Sequence, residues 1–267
     1  VIRLHLDADL APGALLPLDV KSLHYLQNVM RLREGAQILV FNGRHGEWAA
    51  VLEGGGKRGG ALRVGARRRP QPPPQRLELM IALIKRQRLD GVVEKAVELG
   101  VGTISLLLTR RTNADHVNLE RLAAIAREAA EQTGRLDAPR IRPPRRLEEA
   151  VRDLEPGARL IFCDEAGDDP LEDWGGPLGR APPLLEVLGA DARALHGPWS
   201  ILIGPEGGFA PEERQLLRDH AAVLAVSLGP RILRADTAAF AALALWQSVL
   251  GDWRLDADAA AAAHERP

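Results

Sequence analysis

Three observations predict a two-domain α/β protein. Residues 1–69 form a basic, strand-rich stretch, residues 70–76 a proline-rich junction, and from 77 to 252 apolar strands alternate with amphipathic helices. Short strands separated by glycine turns suit a small β-barrel, whereas strand–helix alternation suits a mostly parallel sheet flanked by helices. A chain of 267 residues is long enough to bury a core in each part.

In the first region a short helix is expected from Lys21 to Arg31, followed by strands at Ile38–Phe41, Trp48–Leu52 and Ala61–Val64. Asn42-Gly43 and the cluster running from Gly54 to Gly60 supply the turns between them. In Arg67-Arg68-Arg69-Pro70-Gln71-Pro72-Pro73-Pro74-Gln75-Arg76 the prolines remove backbone donors and fix extended geometry, so the segment reads as a stiff connector.

In the second region Leu77, Leu79, Ile81 and Leu83 alternate as a strand, and Val92, Val93, Ala96, Val97 and Leu99 keep helical spacing up to Gly100. Ile104–Leu108 is an apolar strand; Leu119, Leu122, Ile125, Ala126 and Ala129 mark a long amphipathic helix. Further strands are expected at Leu160–Cys163, Ile201–Ile203 and Val223–Val226, with a last helix from Thr237 to Leu250. Gly167 to Pro183, rich in Gly, Pro and Asp, reads as a loop insertion, and residues 253–267 as a disordered tail.

The formal net charge of −1 conceals a division: residues 1–69 carry 11 Lys and Arg against 6 Asp and Glu, so the remainder is acidic. A basic module joined to an acidic one points to a polyanionic partner for the first. No apolar run reaches the roughly 18–20 residues of a membrane-spanning helix, and no signal-peptide pattern opens the chain, which predicts a soluble cytoplasmic protein. Cys163 is the single cysteine, which excludes an intrachain disulfide; its apolar flank Leu160-Ile161-Phe162 marks it as a core residue. The seven histidines are scattered without metal-ligand spacing, so no metal is expected.

Two segments carry the candidate chemistry. The strand Ile201-Leu202-Ile203 runs into Gly204-Pro205-Glu206-Gly207-Gly208-Phe209, after which Pro211-Glu212-Glu213 opens a helix. The strand ending at Val226 runs into Leu228-Gly229-Pro230-Arg231-Ile232-Leu233-Arg234, with Asp236 or Thr237 placed to cap the next helix. Ligands of open α/β sheets bind beyond the carboxyl ends of strands, where glycine lets backbone approach closely. Neither segment has the spacing of a dinucleotide fingerprint or a P-loop.

These segments, together with Asp236-Thr237, Glu94-Lys95-Ala96-Val97-Glu98-Leu99-Gly100-Val101, Glu131-Gln132-Thr133-Gly134-Arg135 and His24-Tyr25-Leu26-Gln27-Asn28-Val29-Met30-Arg31-Leu32, resemble the bacterial 16S rRNA (uracil-1498-N3)-methyltransferase family of the SPOUT superfamily. The matches span nearly the whole chain in the family's order; Asp236 departs from it, since the family usually has Glu there. The resemblance implies an N-terminal PUA-like barrel and a SPOUT α/β domain whose C-terminal segment forms a trefoil knot. It also implies S-adenosylmethionine as cofactor, a uridine of small-subunit rRNA as methyl acceptor, and a homodimer as the working form.

In residue terms, Leu202, Ile203, Gly204, Pro205, Glu206, Gly207, Gly208, Leu228, Gly229, Ile232, Leu233, Thr237 and Ala238 are the expected cofactor-binding positions. Uracil N3–H is a poor nucleophile, so transfer needs a base or a cation that favours the deprotonated ring. Arg231 and Arg234 are candidates for the cation, Glu206 or Asp236 for the base. For RNA capture the candidates are Arg3, Lys21, His24, Tyr25, Arg31, Arg33, Arg44 and Arg135, with Tyr25 or His24 able to stack on an unpaired base. Asn113, close to Arg110-Arg111, is a further candidate. A noncatalytic RNA-binding protein and a SPOUT enzyme acting on tRNA or on a ribose hydroxyl are the competing readings.

Overall fold

The computed structural model describes residues 1–55, 59–113, 116–165, 181–189 and 197–253, arranged as two compact units. The first comprises residues 1–74 with 126–138, the second residues 75–125 with 139 onward.

The first unit is built on strands β1 (Arg3–His5), β2 (Leu15–Pro17), β3 (Gln37–Phe41), β4 (Glu47–Gly54) and β5 (Gly60–Arg69), in the spatial order β1-β3-β4-β5-β2. β1 pairs parallel to β3 and the other pairings are antiparallel. The sheet is a half-barrel rather than a closed barrel, since β1 and β2 remain its two edges. β1 and β2, three residues each, are too short to show a period in sequence. Inward-facing Ile38, Val40, Ala50, Leu52, Leu62 and Val64 alternate along β3–β5 and close the core with Leu4 and Leu26.

The helix expected over Lys21–Arg31 is two pieces, α1 (Val20–His24), capped by the Asp19 carboxylate on the Ser22 N–H, and a π-helical turn over Tyr25–Val29. The turn ends with Arg31 in the left-handed region at φ 57°, and the Leu32 N–H reaches back to the Leu26 carbonyl at 2.9 Å. Glycine is the usual occupant of such a position. Arg67–Arg69, read from sequence as connector, extend β5 instead, Arg69 lying opposite Glu47. Residues 126–138, which the sequence reading placed with the second region, pack with the first.

The second unit carries a six-stranded, wholly parallel sheet: β6 (Leu77–Ala82), β7 (Thr103–Leu108), β8 (Arg140–Arg146), β9 (Arg159–Cys163), β10 (Trp199–Ile203) and β11 (Val223–Val226), ordered β11-β9-β10-β6-β7-β8. Its helices are α2 (Arg86–Glu98), α3 (Leu119–Thr133, shared with the first unit), α4 (Leu147–Arg152), α5 (Leu184–Val187), α6 (Pro211–Asp219) and α7 (Ala235–Val249). On one face Met80, Leu107, Leu160, Phe162 and Leu202 pack with Leu147 and Val151 of α4 and Leu217 of α6. On the other, α2 packs against α7 and α7 against β10. The Gln247 amide, fully buried on α7, donates to the Leu99 carbonyl at 2.7 Å and satisfies the end of α2.

β8 was not expected, because Pro143 and Pro144 interrupt its pattern; the structure places it at the sheet edge, where a missing N–H costs least. Most of the Gly167–Pro183 stretch, part of the Gly54–Gly60 cluster and residues 254–267 lie outside the described residues.

Candidate active site

The fully buried strand β10 delivers the first candidate loop. Gly204 follows it directly, and a Cβ there would press on the Phe209 ring at 2.6 Å. Phe209 folds under the loop and meets Phe162 of β9 edge-on, ring centroids 5.1 Å apart. The loop turns through Gly208 at φ +66°, then enters α6 with Pro211 in its first turn. Glu213, 2% exposed, accepts the Ala210 N–H and the Arg110 N–H, each at 2.8 Å. The Arg111 guanidinium adds a bond to the Gly207 carbonyl at 3.0 Å. One buried carboxylate and one arginine therefore tie the loop after β7 to the loop after β10.

The second candidate loop leaves β11. The Ser227 hydroxyl accepts the Gly229 N–H at 3.1 Å, tightening the turn, and Gly229 takes φ +109°. The Ser227 backbone is held by the stretch before α5, donating to the Pro182 carbonyl and accepting the Leu184 N–H. Arg234, in extended conformation, is the N-cap residue of α7. Asp236 is therefore not the cap expected from sequence: it lies inside the first turn and accepts the Thr237 N–H at 3.0 Å.

Between these strands stands β9, whose end adds a third contribution. Asp164, 3% exposed, receives the Arg214 guanidinium at 3.1 and 3.2 Å and the Arg218 guanidinium at 2.6 and 3.2 Å. Its neighbour Glu165 is solvent-accessible, yet enough protein surrounds it that burial pushes its carboxyl above the usual range. Burial, with the two adjacent carboxylates, drives the Cys163 thiol up to about 12, so it is an inert core thiol at neutral pH.

All three strand ends open into one cavity of about 270 Å³, close to the lower end of the roughly 300–1,000 Å³ of small-molecule sites. Of the expected positions, Ile203, Gly204, Pro205 and Glu206 line it from the β10 loop, and Leu228, Gly229, Arg231, Ile232, Leu233, Arg234 and Ala238 from the β11 side. Leu202 does not: the strand's alternation turns it into the apolar cluster on the opposite face. Gly207, Gly208, Asp236 and Thr237 are also outside the lining. Gly207 supplies the carbonyl that Arg111 grips, and Gly208 makes room for a neighbour, since a Cβ there would collide with the Glu165 carboxylate.

Arg88, Asp164, Glu165 and Ser227 line the cavity without having been singled out from sequence. For Asp164 and Glu165 a signal existed, because they follow an apolar strand at its carboxyl end. Arg88, on the first turn of α2, stands 3.6 Å from Glu206, a pairing no local pattern reveals.

The RNA-capture candidates of the first unit divide in two. Lys21, His24, Arg31 and Arg33 are exposed, while Tyr25 is half-buried against the core. Arg44 is exposed and lies 3.6 and 3.3 Å from Asp7 and Asp9. Arg3 is different. It pairs with Glu47 at 2.8 Å, donates to the carbonyls of Ala130, Glu131 and Arg135 and lies 4.5 Å from the Phe41 ring centroid, so its donors are committed inside the unit. Arg135 is likewise engaged, with Asp137 at 3.1 Å. The assignment of Arg3 to phosphate is therefore corrected, since its donors are turned inward, whereas Arg135 beside Asp137 stays a candidate phosphate contact. Elsewhere, Lys95 sits between Glu94 and Glu98 at 2.7 and 2.6 Å on the solvent side of α2, which raises its ammonium to about 12, and Asn113 and Gln132 are exposed.

Residues 71–247 match the family described as RNA methyltransferase domain, and residues 18–64 match the RNA methyltransferase PUA domain. The ribosomal RNA small subunit methyltransferase E of Rickettsia conorii is 28% identical over 91% of this chain and 93% of that protein. Its namesake from Synechocystis sp. is 31% identical over 89% of this chain and 74% of its own. Among solved structures, a ribosomal RNA small subunit methyltransferase E from Neisseria gonorrhoeae bound to S-adenosyl methionine superposes with a TM-score of 0.77 at 27% identity, covering 92% of this chain and 97% of that one. A putative methyltransferase from Legionella pneumophila, in complex with the same cofactor, gives 0.76 at 29% identity with the same coverage.

Proposed function

The chain belongs to the RNA methyltransferase family that carries a PUA domain ahead of its methyltransferase domain, and from this premise we propose that it transfers the methyl group of S-adenosylmethionine to N3 of a uridine in small-subunit (16S) rRNA. The convergence of the β10 and β11 loops on one cavity is the observation that carries this reading. The names and the bound cofactor of the similar proteins support it. The working form is proposed to be a cytoplasmic homodimer acting on the small ribosomal subunit, with the C-terminal segment threaded as a trefoil knot.

The residues present suit the cofactor: the half-buried Gly204 brings backbone to the cavity without a side chain, while Ile203, Leu228, Ile232 and Leu233 offer apolar surface for an adenosine. When bound, it supplies an electrophilic methyl group on a cationic sulfur. The chain must bind it, bring the uracil edge close and manage the N3 proton. Arg231 and Arg234, exposed and lining the cavity, are placed to stabilise negative charge developing on the ring oxygens. Glu206 lines the cavity and Asp236 does not, which favours Glu206 as proton acceptor, with Arg88 orienting it.

The test incubates the protein and methyl-labelled cofactor with unmodified small ribosomal subunits, naked small-subunit rRNA and tRNA in separate reactions. Label in the subunits or their rRNA is expected; label confined to tRNA would overturn the substrate assignment.

A further inference from the structure

Three carboxylates line the cavity, and two are already neutralised. Asp164 is clamped by Arg214 and Arg218, and Glu206 stands opposite Arg88. Glu165 forms no ion pair among the described residues; Arg214 and Arg111 act on it only through space. It sits two residues past the end of β9, the strand between β10 and β11, in the wall shared by both candidate loops. The Gly-rich loop lies against it: Gly208, whose φ of +66° favours glycine, brings its backbone next to the Glu165 carboxylate.

Two chemical states of the cofactor must pass through this cavity. The incoming one carries a positive sulfonium, and the one left after methyl transfer is an uncharged thioether. Resting on the cofactor assignment above, we propose that Glu165 is a charge-reading residue of this site, its carboxylate favouring the sulfonium form over the spent thioether.

The cavity is small enough that a ligand's sulfur lies within Coulombic reach of its wall. Opposite unit charges ~6 Å apart at an effective dielectric of ~20 attract strongly enough for roughly a hundred-fold preference, and solvent reaching the open cavity reduces this to about ten-fold. Glu165 thereby limits product inhibition without touching the nucleophile.

The test is calorimetric titration of the full chain with S-adenosylmethionine, S-adenosylhomocysteine and sinefungin, whose amine replaces the sulfonium. In Glu165→Gln, affinity for the two cationic ligands is expected to fall about ten-fold and that for S-adenosylhomocysteine less than about two-fold. Glu165→Asp should retain the discrimination. An equal fall for all three ligands, or no change in any, overturns the inference. Thermal unfolding of the ligand-free variants checks the fold, and Glu165→Ala reads the same difference should Gln not be tolerated. A wild-type protein that binds none of the three overturns the cofactor assignment itself, and the inference with it; parallel losses against a binding wild type overturn the inference alone.

Discussion

The Arg214 guanidinium donates to both oxygens of Asp164, at 3.1 and 3.2 Å, joining the first turns of α6 to the end of β9 beneath the cavity. Both side chains are nearly excluded from solvent, at 9% and 1% exposure, and the partly buried Arg218 completes an Arg–Asp–Arg cluster. Removing one member of such a cluster strands the charge of the others.

Asp164→Asn is therefore expected to destabilise the second unit by about 3 kcal/mol. Chemical denaturation measures it. Asp164→Asn within a few tenths of a kcal/mol of wild type would show that water, not Asp164, compensates the arginines.

Arg234→Ala tests the division of labour at the cavity mouth. Methyl transfer is expected to fall about 100-fold, the scale of losing one transition-state donor, while cofactor affinity stays nearly constant because backbone and apolar groups provide most of that contact. Single-turnover kinetics beside a cofactor titration separate the two. An equal loss in both would reassign Arg234 to cofactor binding.

Glu47 predicts a pH dependence for the first unit. Burial alone would raise its carboxyl, but hydrogen bonds from Arg69 and Arg3 outweigh burial and hold it below the usual range. A carboxylate depressed on folding contributes stability above its unfolded pKa and loses it as pH falls through the folded value. Wild type should thus lose stability on acidification below the ordinary carboxylate range, and Glu47→Gln, already lacking the ionic contacts, should show a flatter acid limb. Identical acid limbs in urea titrations would contradict this.

Arg31 separates folding from RNA capture. Its left-handed backbone is costly for any side chain, so Arg31→Gly is expected to stabilise the first unit by roughly 1 kcal/mol. The same change should weaken RNA binding and lower the salt slope by about one unit if Arg31 contacts phosphate. Arg3→Ala should do the reverse, lowering stability through its lost internal bonds. Filter binding across salt concentrations, with denaturation of the same proteins, reads both; an unchanged RNA affinity for Arg31→Gly removes it from the interface.

How much of this was legible beforehand depended on the range of the interactions. β7, β9 and β10 announced themselves through apolar runs that the sheet buries, β11 through a short apolar run at the sheet edge, β6 through alternation, and both candidate loops through glycine and proline at strand ends. β8 escaped because edge position, invisible in a local window, is what makes its prolines tolerable. Arg3 was misread because its partners Glu47, Ala130, Glu131 and Arg135 lie far along the chain, and nothing near Arg3 marks it as internal. Leu202 was counted with the cavity because sequence places it beside the loop, whereas the two-residue period of the strand turns it to the far face. Glu165 carried a signal, its place after an apolar strand, but its relation to both loops appears once β9 is found between β10 and β11.

The most direct test of the central claim is the identity of the methylated nucleoside. Small subunits lacking the modification, incubated with the protein and cofactor, are digested to nucleosides and analysed by mass spectrometry against authentic standards. The account predicts 3-methyluridine, formed by wild type and strongly reduced by Arg234→Ala. A 2′-O-methylated nucleoside, or no methylated product from any small-subunit substrate, would contradict it.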